Sequence, residues 1–261
     1  MRVGAFQFDI RRGDVTSNLA EAERGLSLAC DSGLDLVLLP EMWPTSFVAP
    51  GEEERWLSET EAAVERLREL SFELDLIVCG SAFGANPSGP PWCNRLQIFD
   101  RGKERLAYDK VHLFSPTAEQ LGFTAGSHPP KTIVLGEARV SGVICYDLRF
   151  SQLLRTPFLE EAEILLVPAQ WPDARSSQWR ALICGRAAEL QAFVIGANRT
   201  GTDLVGRREM ELSFPGNSIL CDPGGEVLAE GKGRSGLIYS DIDLEELRDL
   251  RREVPVRRDG R

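Results

Sequence analysis

No apolar run in this 261-residue chain approaches the roughly 20 residues that a membrane-spanning helix needs. The opening stretch, Met1-Arg-Val-Gly-Ala-Phe-Gln-Phe8, goes straight into a strand-like pattern and lacks the apolar core and small-residue cleavage site of a secretory signal. A cytoplasmic protein is therefore the expectation. Histidine is scarce, with only His112 and His128, and none of the six cysteines falls in a C-x-x-C pair, so a structural zinc site lacks ligands at usable spacing. Scattered thiols fit reduced cysteines better than a disulfide frame, and five of the six read as packing residues. Positive charge is in deficit: 30 Lys and Arg against 40 Asp and Glu leave a net charge of −10. That balance disfavours nucleic acid and anionic membranes as partners. The exception is the end of the chain, where Arg248, Arg251, Arg252, Arg257, Arg258 and Arg261 collect. They read as a solvated tail or as a contact to a partner subunit.

Internal repeats and low-complexity linkers are also missing, so the expectation is one domain over residues 1–261 with 248–261 as its tail. Strand-like runs recur at 3–8, 34–39, 76–80, 95–99, 132–135, 140–144, 164–168, 193–197, 218–221 and 235–242. Helical periodicity covers 17–30 (Leu19, Ala22, Leu26, Cys30), 57–74 (Leu57, Ala62, Leu67, Leu70, Leu74) and 176–190 (Trp179, Leu182, Ile183, Ala187, Leu190). Asp100-Arg-Gly-Lys103 reads as a hairpin turn, and the Gly- and Pro-rich stretch 84–91 as a surface loop. Helices alternating with apolar strands, and at least one hairpin, predict a layered α/β fold with mixed sheets.

Cys145 ends the apolar run 138–145 and opens Cys145-Tyr-Asp-Leu-Arg-Phe150, which reads as a turn entering a helix. The carboxyl end of a strand is where open α/β sheets place their ligands. A thiol there is either a small core residue or a nucleophile that needs a nearby base. Three other segments bring ionisable groups to strand ends or loops: Glu41 in Leu38-Leu39-Pro40-Glu41-Met42-Trp43, Lys110 in Tyr108-Asp109-Lys110-Val111-His112, and Glu119 in the polar stretch 115–126. Taken singly, each is as readily a surface or capping charge.

Together these segments resemble the nitrilase, or carbon–nitrogen hydrolase, superfamily. The similarity also takes in Gln7, Asn94, the Ala125-Gly126 pair, Pro168-Ala-Gln-Trp-Pro172, Arg186-Ala-Ala-Glu189, Ala197-Asn-Arg-Thr-Gly201 and Gly216-Asn-Ser218. The resemblance implies a four-layer α-β-β-α sandwich and a Glu41–Lys110–Cys145 triad, with Glu119 positioning substrate or holding Lys110 and Glu41. It implies an oxyanion site made by Lys110 and the backbone N–H of Tyr146, and no metal or organic cofactor. It also implies a homodimer or a higher homo-oligomer. The motifs around Glu41, Cys145 and Gln170 look closest to the ω-amidase-like branch, which hydrolyses the terminal amide of 2-oxo dicarboxylic acid monoamides. Gln170 stands where Asn is expected in that branch, so substrate choice stays open among amidases and N-carbamoyl amino acid hydrolases.

Substrate contacts are read from the residues themselves. An anionic ω-amide needs a cation, which Arg149 or Arg175 can supply, although Arg149 reads equally as an ion-pair partner of Asp147. Trp43, Phe47 and Trp171 are candidate pocket walls, and each reads equally as core packing. Two readings compete with the triad: a cysteine enzyme using His112 or His128 as its base, and an inactive binding or scaffold protein.

Overall fold

The structure, a computed structural model, describes residues 1–48, 51–85, 92–206 and 209–260. Residues 86–91 of the expected surface loop, and Arg261, lie outside the described residues. The first half of the chain runs through β1 (Arg2–Gln7), α1 (Val15–Asp31), β2 (Leu36–Leu38), α2 (Glu53–Glu73), β3 (Ile77–Gly84), β4 (Cys93–Asp100) and β5 (Lys103–Asp109). The second begins with β6 (Ile133–Leu135) and β7 (Ala138–Gly142) and passes a 3-10 turn at Cys145–Arg149. It continues through the short α3 (Arg155–Leu159), β8 (Ile164–Ala169), α4 (Ser176–Leu190) and β9 (Phe193–Asn198). A hairpin of β10 (Thr200–Val205) and β11 (Met210–Pro215) forms its own two-stranded sheet. Then β12 (Ile219–Cys221) and β13 (Val227–Glu230) rejoin the second sheet, β14 (Gly236–Asp241) returns to the first beside β1, and α5 (Leu244–Glu253) and α6 (Val256–Asp259) follow.

Both large sheets have six strands, in the orders β14-β1-β2-β3-β4-β5 and β6-β7-β8-β9-β12-β13. Successive pairs run antiparallel, parallel, parallel, antiparallel and antiparallel in the first sheet. The second sheet has the same series. The two halves thus share one topology without a repeat in their sequences.

The central strands are apolar on both faces because each face has a partner layer. Val3, Ala5, Leu36 and Leu38 pack against Ile164, Leu166, Ile195 and Ala197 between the sheets. The alternate residues Phe6, Val37 and Leu39 turn outward onto Ala22 and Leu26 of α1 and Ala63 and Leu67 of α2. On the far side, Leu165, Val167 and Val194 meet Trp179, Ile183 and Ala187 of α4. The result is the α-β-β-α sandwich with mixed sheets. Helix α1 starts where the Asp14 carboxylate accepts from the Ser17 N–H at 3.0 Å, a cap worth about 1 kcal/mol. Burial of a side chain such as Leu26 adds roughly 2 kcal/mol.

Two expected core positions differ. Cys30 is exposed and its neighbour Ala29 is buried. Ala62 is exposed and Ala63 takes the core position. The rest of each stripe holds, with Ala22 and Leu26 of α1 and Leu67 and Leu70 of α2 buried, so the shift is confined to one position in each helix.

Of the two readings of the arginine-rich end, the solvated tail is corrected: 244–253 and 256–259 are helical and fold onto their own chain. Arg248 pairs with Glu163 at 2.8 Å. Arg251 donates to the carbonyls of Glu161, Ala162 and Gln191, and Arg257 to those of Phe158 and Leu190. These carbonyls lie at the ends of α3 and α4, where unpaired C=O groups and the helix dipole favour a cation.

Candidate active site

Three strand ends converge on one pocket. Past β2 the chain turns sharply: Met42 takes a left-handed φ of 51°, its N–H donates to Ser81 Oγ at 3.1 Å, and the Trp43 N–H donates to the Ser81 carbonyl at 3.0 Å. Glu41 is thereby turned inward and is buried. Past β5, the Lys110 N–H donates to the Asn94 carbonyl at 2.9 Å, and the Lys110 carbonyl accepts from Gly126 N–H at 2.8 Å. Gly126 fits only because it has no side chain, since a Cβ there would sit 2.2 Å from the Asp109 carbonyl oxygen. Past β7, Cys145 adopts a φ of 46° at the head of its 3-10 turn, a conformation that costs a non-glycine residue about 1–3 kcal/mol and persists only when its surroundings over-determine it.

The side chains then meet. Lys110 Nζ donates to Glu41 Oε1 at 2.8 Å and to both oxygens of Glu119, at 3.0 and 2.9 Å. Asn94 Nδ2 donates to Glu41 Oε1 at 2.8 Å and to Glu119 Oε1 at 3.3 Å. The second oxygen of Glu41 accepts from the Gln170 N–H at 2.9 Å, and the Phe114 N–H donates to Glu119 Oε2 at 2.6 Å. Cys145 Sγ lies 4.0 Å from the Gln170 carbonyl and shares the pocket with the Glu41 carboxylate. Glu41, Lys110, Glu119 and Cys145 all line the same narrow pocket.

Burial and charge set their protonation. Burial, reinforced by the Glu41 carboxylate and only partly offset by Lys110, pushes the Cys145 thiol well above its ordinary range. For Lys110, burial disfavours the ammonium, but the carboxylates of Glu119 and Glu41 more than reverse this and hold it charged. Burial also raises Glu119, with Glu41 adding to the effect and Lys110 opposing it. The resting site is thus a neutral thiol beside a carboxylate and a fixed ammonium. Such a set can move the thiol proton to the carboxylate and hold positive charge against an oxyanion.

The other expected residues divide. Phe47 and Trp171 line the pocket, and so do Tyr146, Arg149 and Arg175. Trp43 does not: it is 1% exposed and packs in the core between the first sheet and its helices, because the turn at Met42 sends it back under Gly80. Arg149 makes no ion pair with Asp147; its guanidinium stands 4.8 Å from the Trp171 ring centroid and donates to Gln178 Oε1 at 2.5 Å. Arg175 lies 5.7 Å from the Phe114 ring centroid. His112 holds its Nδ1 3.0 Å from Asp147 and stacks on Phe150, and His128 is on the surface beside Ser127, so neither ring serves the thiol. Leu212 and Phe214 of β11 also wall the pocket. They were missed, although Met210, Leu212 and Phe214 alternate with Glu211, Ser213 and Pro215 as a half-buried strand should.

Residues 2–252 match the model of the carbon–nitrogen hydrolase family. The chain belongs to that family. As a carbon–nitrogen hydrolase it is similar to the 2-oxoglutaramate amidase of Bacillus subtilis (strain 168), with 30% identity over 97% of this chain and 95% of that one. It is 34% identical to the omega-amidase YafV of Yersinia enterocolitica over 85% of this chain and 82% of that one. Among solved structures, the amidase from Nesterenkonia sp. AN1 superposes with a TM-score of 0.84 at 28% identity, covering 97% of this chain and 98% of that one. That structure shows acrylamide added at the relative's active-site cysteine.

Proposed function

We propose that this carbon–nitrogen hydrolase is an ω-amidase, releasing ammonia from the terminal carboxamide of a small 2-oxo dicarboxylic acid monoamide. In this reading Cys145 Sγ attacks the amide carbon while Glu41 accepts the thiol proton. Lys110 Nζ and the Tyr146 backbone N–H hold the oxyanion, and Glu119 and Asn94 keep Lys110 and Glu41 in register. The C–N bond then breaks, Glu41 returns its proton to the leaving nitrogen, and a Cys145 thioester remains. Water attacks that thioester with Glu41 as base, the C–S bond breaks, Glu41 returns its proton to the Cys145 sulfur, and the acid leaves.

One observation carries the substrate class. Arg149 and Arg175 both line the pocket, and among the described residues Arg149 meets Gln178 Oε1 and the Trp171 ring, and Arg175 the Phe114 ring, with no carboxylate paired to either. Two guanidiniums without carboxylate partners suit a substrate that brings its own carboxylate opposite the amide. The names of the relatives support the same class. The test is ammonia release from 2-oxoglutaramate, 2-oxosuccinamate, glutamine, N-carbamoyl amino acids and neutral aliphatic amides. Preference for the first two is expected; equal or better turnover of butyramide would end the ω-amidase reading, and inertness towards all would end the enzymatic one.

The same proposal takes the protein as a single-domain cytoplasmic homodimer. Among the described residues no helix is long and apolar enough to cross a membrane. Exposed Leu159, Val254 and Val256, on segments joined by the Arg257–Phe158 contact, support pairing of two copies through that face. Light scattering tests it.

A further inference from the structure

Asp147 lies two residues past Cys145 and is fully buried, yet it is no part of the pocket wall. Its carboxylate is nonetheless fully engaged. Oδ2 accepts from the Tyr108 hydroxyl at 2.8 Å and from the Ile144 N–H at 3.3 Å. Oδ1 accepts from the His112 N–H at 2.8 Å and lies 3.0 Å from His112 Nδ1. A buried carboxylate is costly unless donors surround it, and removal of one partner is felt more than the mean worth of a hydrogen bond suggests.

The identity of those donors is the informative point. Tyr108 and His112 stand two residues before and two after Lys110, and Ile144 immediately precedes Cys145. One carboxylate therefore grips the Lys110 segment on both sides and ties it to the base of the nucleophile's turn. Asn94 and Gly126 hold the Lys110 backbone itself, and the carboxylate adds an anchor on either side of it. Lys110 lies just beyond the last residue of β5, and Cys145 has an unfavourable left-handed φ. The aromatic rings seal the clamp: the Tyr108 side chain is buried in the core beside Ile144 and Leu148, and His112 stacks on Phe150 with ring centroids 3.6 Å apart.

We infer that Asp147 is a positioning residue for the amidase reaction, fixing the Lys110 ammonium relative to the Cys145 thiol through Tyr108, His112 and Ile144. The inference rests on the amidase reading above. It differs from a purely structural role because the distance it sets is the one between the thiol and the group facing the oxyanion. A misplacement of about 1 Å at a reacting centre costs up to roughly 100-fold in rate.

The test replaces Asp147 with Asn, which keeps the size but turns one acceptor oxygen into a donor. Rates are expressed per active site, counted as Cys145 thiols alkylated by iodoacetamide and identified by mass spectrometry. Asp147→Asn is expected to lower kcat per titrated site by about 10- to 100-fold with KM changed little. Tyr108→Phe, which leaves the carboxylate and the His112 contacts in place, should lower kcat by a smaller factor. A double variant should lose less than the product of the two single effects, because both act on one clamp. If Asp147→Asn has a lower melting temperature but a wild-type kcat per titrated site, the positioning role is overturned. If Asp147→Asn does not fold, Tyr108→Phe and His112→Asn decide: unchanged kcat per site in both overturns the proposal. Wild-type protein that hydrolyses no amide would instead remove the amidase reading, a separable result.

Discussion

Gln170 holds Glu41 at both ends: its backbone N–H donates to Glu41 Oε2 and its side-chain Nε2 donates to the Glu41 carbonyl, each at 2.9 Å. The Gln170 side-chain oxygen is in turn held by Ser46 Oγ and Arg199 Nη1, both at 3.2 Å. Glutamine has the reach to bridge these groups. Gln170→Asn is one methylene shorter and should lose the bond to the Glu41 carbonyl, at a cost of about 1 kcal/mol. Urea denaturation reads this loss, and an unchanged midpoint would show that the bridge contributes nothing.

Arg199 is wholly buried and joins Asp203 at 2.8 Å, Asp9 at 3.0 Å and the Ile10 carbonyl at 2.5 Å. It bolts the β10–β11 hairpin to the loops that follow β1 and β2. Arg199→Met leaves Asp203 buried without its cation and should cost about 3–5 kcal/mol of stability. A loss below about 1 kcal/mol in the same denaturation experiment would contradict the hub, being no more than a single exposed ion pair.

The Glu41 carboxylate raises the Cys145 thiol. Removing its charge in Glu41→Gln should therefore move the onset of iodoacetamide alkylation at Cys145 to lower pH. In the same variant amide turnover should fall by about 10²–10⁴-fold, the usual contribution of a general base. Alkylation profiles recorded against pH, with mass-spectrometric assignment, check the sign; an onset moved upward would refute the electrostatic picture.

Glu119 has a folded-state pKa raised above its ordinary 4.5. Its protonated form thus stabilises the native state, an effect fully present below the unfolded pKa and lost as pH rises through the folded one. Glu119→Gln mimics the protonated form at every pH. Its stability relative to wild type should improve as pH climbs from about 4.5 towards neutrality. Melting temperatures across that range test this, and a relative decline would mean that attraction to Lys110 outweighs burial.

Arg175→Gln should raise KM for 2-oxoglutaramate by about 10- to 100-fold, as expected for loss of a charge-assisted hydrogen bond. KM for a neutral aliphatic amide should stay where it was. Equal effects on both would place Arg175 in the architecture of the pocket and not in recognition of an anion.

Much of the architecture was legible because the central strands are buried on both faces and write their apolar runs without interruption, as in Leu36–Leu38 and Ile164–Ala169. The β10–β11 hairpin was not. Its strands carry Thr200, Asp203, Glu211 and Ser213 among their apolar residues, so no continuous run marks them. The sequence puts Cys145, Lys110 and Glu41 at strand ends but leaves Trp43 open between pocket wall and core. A single left-handed residue, Met42, decides which way that ring points. The fate of Arg251 and Arg257 was equally hidden, because their acceptors are main-chain carbonyls, which no residue type announces.

The place of β14 has a consequence in time. This strand lies against β1 over six residue pairs, from Arg2–Asp241 to Gln7–Gly236, and the Met1 and Ile242 backbones exchange hydrogen bonds. On a ribosome the chain emerges from its N-terminal end. Glu41, Lys110, Glu119, Cys145 and Gln170 have all been synthesised while the outer edge of β1 still lacks its neighbour. The first sheet, and with it the seat of Glu41, is completed only once Gly236–Asp241 have been made.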